Sequence, residues 1–234
     1  LLDFTNPPRE TVAWCRWQLG ETAFSHGDYK MAERHYRAAL ITSPGYVRAT
    51  AALGRVCAAN GDRIGAITYY EQAVRTIPTQ DFLAALGDLY KLEGREKGAA
   101  IRYEVMEQIA EHTLKVHGTP HNRPLALFYA DHDMKLEQAY ALALAEYAIR
   151  KDIYGADTLA WTALKTGRIE EAQSAIKDAL RLGTQDAKLF YHAGMIALAR
   201  HDETAGRDYL KRALDLNPHF DPLQTTRARA ALKN

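Results

Sequence analysis

The chain has 234 residues, of which 47% are hydrophobic and 25% are charged, and this composition excludes a disordered tail or a fibre. Its 30 Lys+Arg against 29 Asp+Glu give a formal net charge of +1, which offers no long-range field to attract a phosphate backbone or anionic lipid. We therefore do not expect nucleic acid as a partner.

The N-terminal residues 1–12, beginning LLDFTNPPRE, are predicted to be an extended segment. They lack a charged region followed by an apolar one, and no run of about 18 apolar residues occurs anywhere, so we expect no membrane insertion. Because the chain does not begin with Met, two compartments stay open: the cytoplasm, or an exported form whose signal has been removed.

The two cysteines, Cys15 and Cys57, lie far apart and form no CxxC pair. This spacing provides neither a disulfide framework nor a cysteine zinc site. We predict that both are small buried hydrophobic residues.

A pattern of small and aromatic residues recurs at an offset of 34 residues. Its first copy is Leu19-Gly20, Gly27, Ala32, Tyr36, Ala39 and Pro44, and its second is Leu53-Gly54, Gly61, Ala66, Tyr70, Ala73 and Pro78. A third copy has Leu86-Gly87, Tyr90, Gly94, Ala99 and Tyr103, and the last has Gly194, Ala213 and Pro218. Two weaker copies lie between these, one on Ala130 and Ala139 with Met134 where glycine is expected, the other on Ala160, Gly167, Ala172 and Ala179.

The pattern is that of a helix-turn-helix unit. Small residues such as Gly20 and Ala32 let two helices approach closely, and a tyrosine such as Tyr36 fills the gap beside them. Glycines such as Gly27 suit the turn between the helices because glycine takes a positive φ without steric cost. One helix pair cannot bury its apolar face, so neighbouring pairs must stack.

These residues and this spacing resemble the tetratricopeptide repeat family over about residues 13–218, in six copies. The resemblance implies an all-α fold, a right-handed α-solenoid. The implied repeats are 13–46, 47–79, 80–119 with an insertion at 107–119, 120–152, 153–186 and 187–218.

The insertion and the C-terminus depart from the repeat. Residues 99–116 contain no helix breaker, so the insertion is predicted to lengthen a helix before the loop HGTPHNRP. Residues 219–234 are predicted to form a capping helix that shields the last repeat, with Asp221 as N-cap and Pro222 at its first position.

The sequence contains no phosphate-binding loop, nucleophile elbow, HExxH or dinucleotide fingerprint, so we expect no enzyme, no catalytic residue and no cofactor. The histidines His112, His117 and His121 lie in the insertion, near Asp131-His132-Asp133. The spacing of five between His112 and His117 turns them apart on a helix, which disfavours a metal site. We predict loop and turn roles for these residues.

In the family, one face of each first helix lines a concave groove that binds peptides. The resemblance places the following residues there: Trp17, Glu21, Arg48, Arg55, Asp88, Phe128, Tyr154, Asp157, Trp161, Tyr191 and His192. Aromatic rings with interspersed Arg and Asp have the composition of an interaction hot spot. The residues Trp17, Glu21 and Ala52 do not match the positions with which some family members grip a chaperone C-terminus, so that role is not implied.

We therefore predict a protein-interaction scaffold that binds a peptide or protein segment in this groove. Four structural alternatives stay open. Residues 1–8 cover Trp14, Trp17 and Phe24, and Trp161 packs on a neighbouring helix. Asp157 and His192 form an orienting hydrogen bond, and Arg48 and Arg55 are either solvated or paired to Glu21 and Asp88. Two functional alternatives also stay open, namely a self-assembling structural module and a metal- or small-molecule-binding module that uses the histidines.

Overall fold

The computed structural model describes residues 7–117 and 123–233, and these ranges contain thirteen α-helices and no β-strand. The predicted all-α fold is confirmed. The helices are α1 Arg9–Ser25, α2 Tyr29–Thr42, α3 Val47–Ala59, α4 Arg63–Thr76, α5 Gln80–Leu92, α6 Glu96–His117, α7 Arg123–Asp131, α8 Leu136–Ile149, α9 Ile153–Lys165, α10 Ile169–Leu180, α11 Ala187–Ala199, α12 Glu203–Leu216 and α13 Gln224–Ala231. Of the described helices, none is both long and apolar enough to cross a bilayer.

The helices form two compact units. Unit 1, Leu1–Met106, contains α1 to α5 and the first part of α6, and unit 2, Glu107–Asn234, contains the rest. Within each unit, consecutive helices pack as pairs and each pair stacks on the next, so the core runs between the pairs. Alanines dominate this core, as close helix crossings require.

Small residues set the helix crossing inside each pair. A Cβ atom placed on Gly54 would lie 2.8 Å from the Tyr70 ring and 3.1 Å from the Ala66 carbonyl oxygen. A Cβ atom on Gly20 would lie 2.3 Å from the Tyr36 ring. The repeated glycine is therefore needed because the tyrosine of the partner helix occupies the space of a side chain.

The turns between paired helices use a residue of positive φ followed by a helix N-cap. Gly27 has φ of 75° and Gly61 has φ of 82°, as the repeat predicts. In the fourth copy the equivalent residue is Asp133, with φ of 56°, so the prediction that Met134 takes the glycine position is wrong. The backbone amide of Met134 instead bonds to the Tyr129 carbonyl at 2.8 Å, as the Asp28 amide bonds to the Ala23 carbonyl at 3.0 Å in the first copy.

Two predicted segments, residues 1–12 and residues 219–234, differ from the structure in where their helices begin, whereas the lengthened helix predicted for the insertion is present as α6. Helix α1 begins at Arg9, inside the segment 1–12 predicted to be extended, because Pro8 provides the first helical carbonyl, which accepts from the Val12 amide at 3.1 Å. Helix α6 continues through residue 117, and residues 118–122, with most of the predicted loop and His121, lie outside the described residues. Residues 1–6 and 234 also lie outside them.

Helix α13 begins at Gln224, three residues after the predicted N-cap. The Asp221 carboxylate still satisfies the first amides, because its Oδ1 atom accepts from the amides of Leu223 at 2.9 Å and Gln224 at 2.8 Å. Asp221 thus performs the predicted capping role through a preceding turn.

Both cysteines are free thiols, but the prediction that they are buried is wrong. Cys15 is exposed and Cys57 is only partly buried. Cys15 follows the core residue Ala13 on α1, at a point where the helix surface faces solvent.

We expect Ala66→Leu to lower the free energy of unfolding by about 1–3 kcal/mol, because Ala66 is fully buried where α4 crosses α3 and extra methyl groups overpack the crossing. Ala100→Leu is the control, since Ala100 is exposed on α6. Chemical denaturation followed by circular dichroism measures both, and equal stability of the two variants would contradict the packing described.

Candidate functional site

Unit 1 contains an open cleft of about 480 Å³ on the face of its first helices. Its lining residues are Trp17, Glu21, Val47, Arg48, Ala51, Ala52, Arg55, Tyr70, Ile77, Thr79, Asp81 and Phe82. The structure brings four of the predicted groove residues, Trp17, Glu21, Arg48 and Arg55, into this one cleft. The sequence interpretation missed Val47, Tyr70 and Phe82, which also pack in the core of unit 1.

A hydrogen-bonded network fixes one wall of the cleft. Glu21 Oε1 accepts from the Tyr36 hydroxyl at 2.7 Å and from Arg55 Nη2 at 2.5 Å. The Arg55 guanidinium also lies over the Phe24 ring, 4.2 Å from its centroid. Burial, above all, raises the pKa of Tyr36, so its hydroxyl stays protonated and donates to Glu21. Arg55 is thus paired with Glu21 and holds the wall in place.

Arg48 is the exposed cation of the cleft. Its guanidinium lies 5.3 Å from the centroid of the Trp17 ring, and it forms no ion pair with any described residue. Asp81 is exposed at the start of α5. Burial, above all, raises the pKa of Tyr70 to about 12, so this phenol is neutral at physiological pH. The cleft therefore combines an aromatic and aliphatic floor with one unpaired positive charge on its rim.

Asp88 is a predicted groove residue that does not line the cleft. It is half-buried, and its Oδ1 atom accepts from the Tyr103 hydroxyl at 2.7 Å. This bond joins α5 to α6 in the same way that Glu21 joins α1 to α2.

Five predicted groove residues of unit 2 are buried, so the expectation that they are open to a partner is wrong. The exposed fraction is 4% for Phe128, 5% for Asp157, 1% for Trp161 and 0% for both Tyr191 and His192. They lie on the first helices α7, α9 and α11, whose shared face we call the unit 2 groove. Of the groove residues predicted in unit 2, only Tyr154 is exposed, at 44%.

A buried stack forms the floor of the unit 2 groove. The His192 ring is stacked on Trp161, with centroids 4.3 Å apart and planes 14° apart. His192 Nδ1 lies 2.8 Å from Asp157 Oδ1, the orienting hydrogen bond that the sequence left open as an alternative. The Asp157 carboxylate thus holds the His192 ring in the plane that supports Trp161.

Asp131, at the end of α7, joins four elements of unit 2. Its carboxylate accepts from Trp161 Nε1 at 2.8 Å, from Lys188 Nζ at 3.1 Å and from the Gln224 side-chain amide. Burial alone would raise the pKa of Asp131, but Lys188, His192 and these hydrogen bonds lower it below its ordinary value. The carboxylate therefore stays charged and binds α9, α11 and α13 to α7.

The cover of the unit 2 groove is the C-terminal segment of the same chain. Gln224 bonds to Asp131, Arg227 Nη1 donates to the Asp131 carbonyl at 3.0 Å, and Arg227 Nη2 lies 3.3 Å from the Asp133 carboxylate. The Phe220 ring lies 5.6 Å from the Tyr191 ring. The capping helix predicted at 219–234 therefore reaches back across the groove to α7.

The structure brings no metal site together among the residues that it describes, since no three His, Cys, Asp or Glu side chains there lie close enough to hold an ion. His112 is exposed on α6, and the His132 ring nitrogen Nδ1 lies 2.7 Å from the Phe128 carbonyl oxygen. His121 and the side chain of His117 lie outside the description.

Comparison with known proteins gives the family of these repeats. Residues 18–81 and 158–219, more than half of the chain, match the family model described as tetratricopeptide repeat. None of the curated proteins matches the chain in sequence.

Several solved structures are similar in fold. A chain of the APC/C hetero-tetramer Cut9–Hcn1 is 16% identical with a TM-score of 0.53, over 98% of this chain and 43% of that one. PilW, a widely conserved type IV pilus biogenesis factor, is 18% identical with a TM-score of 0.50, over 92% and 98%. PilF of Pseudomonas aeruginosa is 19% identical with a TM-score of 0.47, over 95% and 100%. At these identities the likeness concerns the fold alone.

We expect Trp161→Ala to cost about 3–5 kcal/mol of stability, because the indole is buried in the groove floor and its removal leaves a cavity and takes one hydrogen bond from Asp131. Trp14→Ala is the matched control, since the Trp14 side chain is 46% exposed. Denaturation midpoints compare the two, and a Trp161→Ala variant as stable as the control would show that the floor is not packed.

The lowered pKa of Asp131 predicts a pH dependence. A carboxyl whose pKa is lower in the folded state stabilises the fold above its unfolded pKa and loses that effect as pH falls through the folded pKa. The stability gap between the wild type and Asp131→Asn should therefore shrink as pH falls below about 5. The exposed Asp215 provides the control Asp215→Asn, and a gap that is constant with pH would contradict the assignment.

Proposed function

Because the chain belongs to the tetratricopeptide repeat family, we propose that it is a non-catalytic scaffold that holds a peptide segment of a partner protein in the unit 1 cleft. Proteins of this family bind protein partners, which supports the general role. The site within the chain is our inference from the surfaces of its two units.

One observation carries the choice of site. In unit 1 the face of the first helices is an open cleft of about 480 Å³, whereas in unit 2 the chain's own C-terminal segment covers that face. A cleft of this volume lies within the range that side chains of a ligand can fill.

The chemistry of the cleft favours a particular kind of peptide. Trp17, Val47 and Phe82 offer an apolar surface for an aliphatic or aromatic side chain. Arg48 offers the charge that a neighbouring carboxylate of the peptide requires. Arg55 contributes by shape, because Glu21 already neutralises it. We therefore propose a segment that carries an acidic residue close to a large apolar one.

The affinity of such a segment should be modest. An open cleft orders the peptide as it binds, and this loss of entropy offsets much of the contact energy. We expect a dissociation constant in the micromolar range, on the order of that for a binding free energy of about −8 kcal/mol.

Selection from a random peptide display library tests the proposal. Full-length wild type should enrich a consensus with an acidic residue beside an apolar one. Arg48→Glu should weaken the selected peptide by about tenfold or more, because loss of a charge-assisted hydrogen bond costs about 1.5–3 kcal/mol. Fluorescence anisotropy of the labelled peptide measures the change.

Arg34→Glu is the matched control, since it makes the same charge change at an exposed residue of α2 that does not line the cleft. Equal weakening by the two variants would show that only net charge matters. A folded wild type that enriches no peptide would reject the proposal that the cleft binds short segments.

A further inference from the structure

The unit 2 groove holds a helix of its own chain, and we propose that it is a second recognition site, for a basic, alanine-containing helix of a partner protein that takes the place of α13. The proposal concerns residues of unit 2 and does not depend on the unit 1 cleft. It rests on the face that α13 presents, on charge complementarity and on an incomplete fit.

Helix α13 presents one regular face to the rest of unit 2. The residues that contact or pack on unit 2 follow the helical spacing i, i+3, i+4, i+7 and i+8, and they are Gln224, Arg227, Ala228, Ala231 and Leu232. Ala228 is fully buried, whereas Ala230 and Arg229, on the other side, are exposed. This is the spacing by which an amphipathic helix is recognised in a groove.

The charges of groove and helix are complementary. Asp131 and Asp133 lie together at the end of α7, and Arg227 of α13 pairs with the Asp133 carboxylate and donates to the Asp131 backbone carbonyl. Lys188 and Lys165 also pair with these aspartates, so these lysines already neutralise part of the negative charge of the groove. A helix with Arg or Lys at the position of Arg227 therefore fits, and one with Glu there is repelled.

The fit of α13 is incomplete. The Gln224 carbonyl oxygen Oε1 and the Tyr191 hydroxyl are buried and have no hydrogen-bond partner in the described protein. Buried polar atoms without partners oppose docking. A partner helix would bind this groove better than α13 does if it met two conditions. One of its side chains would form a hydrogen bond with the Tyr191 hydroxyl, and it would bury no carbonyl without a partner at the position of Gln224.

Helix α13 is also suited to leave. It has only the residues Gln224–Ala231, which is shorter than isolated helices need in water, so its helical state depends on the groove. Residues 217–223 separate it from α12. Its far end is held by polar contacts, such as the hydrogen bond that Arg207 Nη1 donates to the Leu232 carbonyl at 2.9 Å. Displacement would unfold this short segment and leave the three helix pairs of unit 2 in place.

The test uses the full chain and a fluorescein-labelled peptide with the sequence of residues 219–233. Ala228→Glu in the chain places a charge in the buried contact and should release α13, while every residue of the groove stays unchanged. Ala230→Glu is the matched control, because it puts the same side chain on the exposed side of the same helix. Hydrogen exchange of amides 224–231 reports whether α13 has left.

We expect the Ala228→Glu chain to bind the peptide at least about tenfold more tightly than the wild type or the Ala230→Glu chain, as measured by anisotropy. A peptide with Arg227→Glu should lose that binding, and the wild-type peptide should bind more weakly when the chain also carries Asp133→Asn, which removes the carboxylate that pairs with Arg227. Arg227→Glu in the chain is the second means of release, in case Ala228→Glu fails to fold, since Arg227 is 40% exposed and its change adds no buried charge.

Two results would overturn the proposal. If α13 amides exchange fast in a folded variant that does not bind the peptide, the groove does not recognise helices in trans. If the amides stay protected in both release variants, α13 is a fixed part of unit 2. Since Arg48 lies in unit 1, neither result bears on the peptide cleft proposed there.

Discussion

Stacked helix pairs leave one face of every first helix without a neighbour, and the behaviour of each unit depends on what meets that face. The pairs bury their alanines and tyrosines against one another, so this face contributes little to the repeat core. A chain that places aromatic side chains on it must either expose them to a partner or cover them itself. Both solutions occur in this protein.

The free face of the first helices is open in unit 1 and covered in unit 2. In unit 1, Glu21 pairs with Arg55 and with Tyr36, so the polar groups are satisfied within the wall and the floor beside Trp17 stays open. In unit 2, Asp131 collects donors from α9, α11 and α13, and the last of these closes the groove. In unit 1 the Glu21 carboxylate is satisfied within the wall of the cleft. In unit 2 the Asp131 carboxylate attaches the helix that covers the groove.

The sequence predicts the repeat well because its signals are local. A positive-φ glycine such as Gly27, and the clash that a Cβ atom on Gly20 would make with Tyr36, follow from spacing alone. Asp133 was not predicted because a non-glycine residue takes the positive φ there, which carries no compositional signal. Turn geometry can therefore be inferred from sequence only where glycine provides it.

The state of the groove could not be predicted from the same signals. A helical wheel places Trp17 and Trp161 on the same face of their helices, yet one lines an open cleft and the other is 1% exposed. The difference comes from a segment distant in sequence, whose pairing through Gln224 and Arg227 with Asp131 spans more than 90 residues.

The aromatic residues of the unit 2 groove are buried because α13 covers the face on which they lie. The stack of Trp161 on His192, held by Asp157, is built like the floor of a recognition site, and the free energy of its packing is shared between the repeat and the docked helix. Because α13 is too short to be helical alone, its folding and its docking are one process. A ligand of the unit 2 groove must therefore displace α13, which folds as it docks, and not only water. The affinity of the ligand depends on how much better it fits the groove than α13 does.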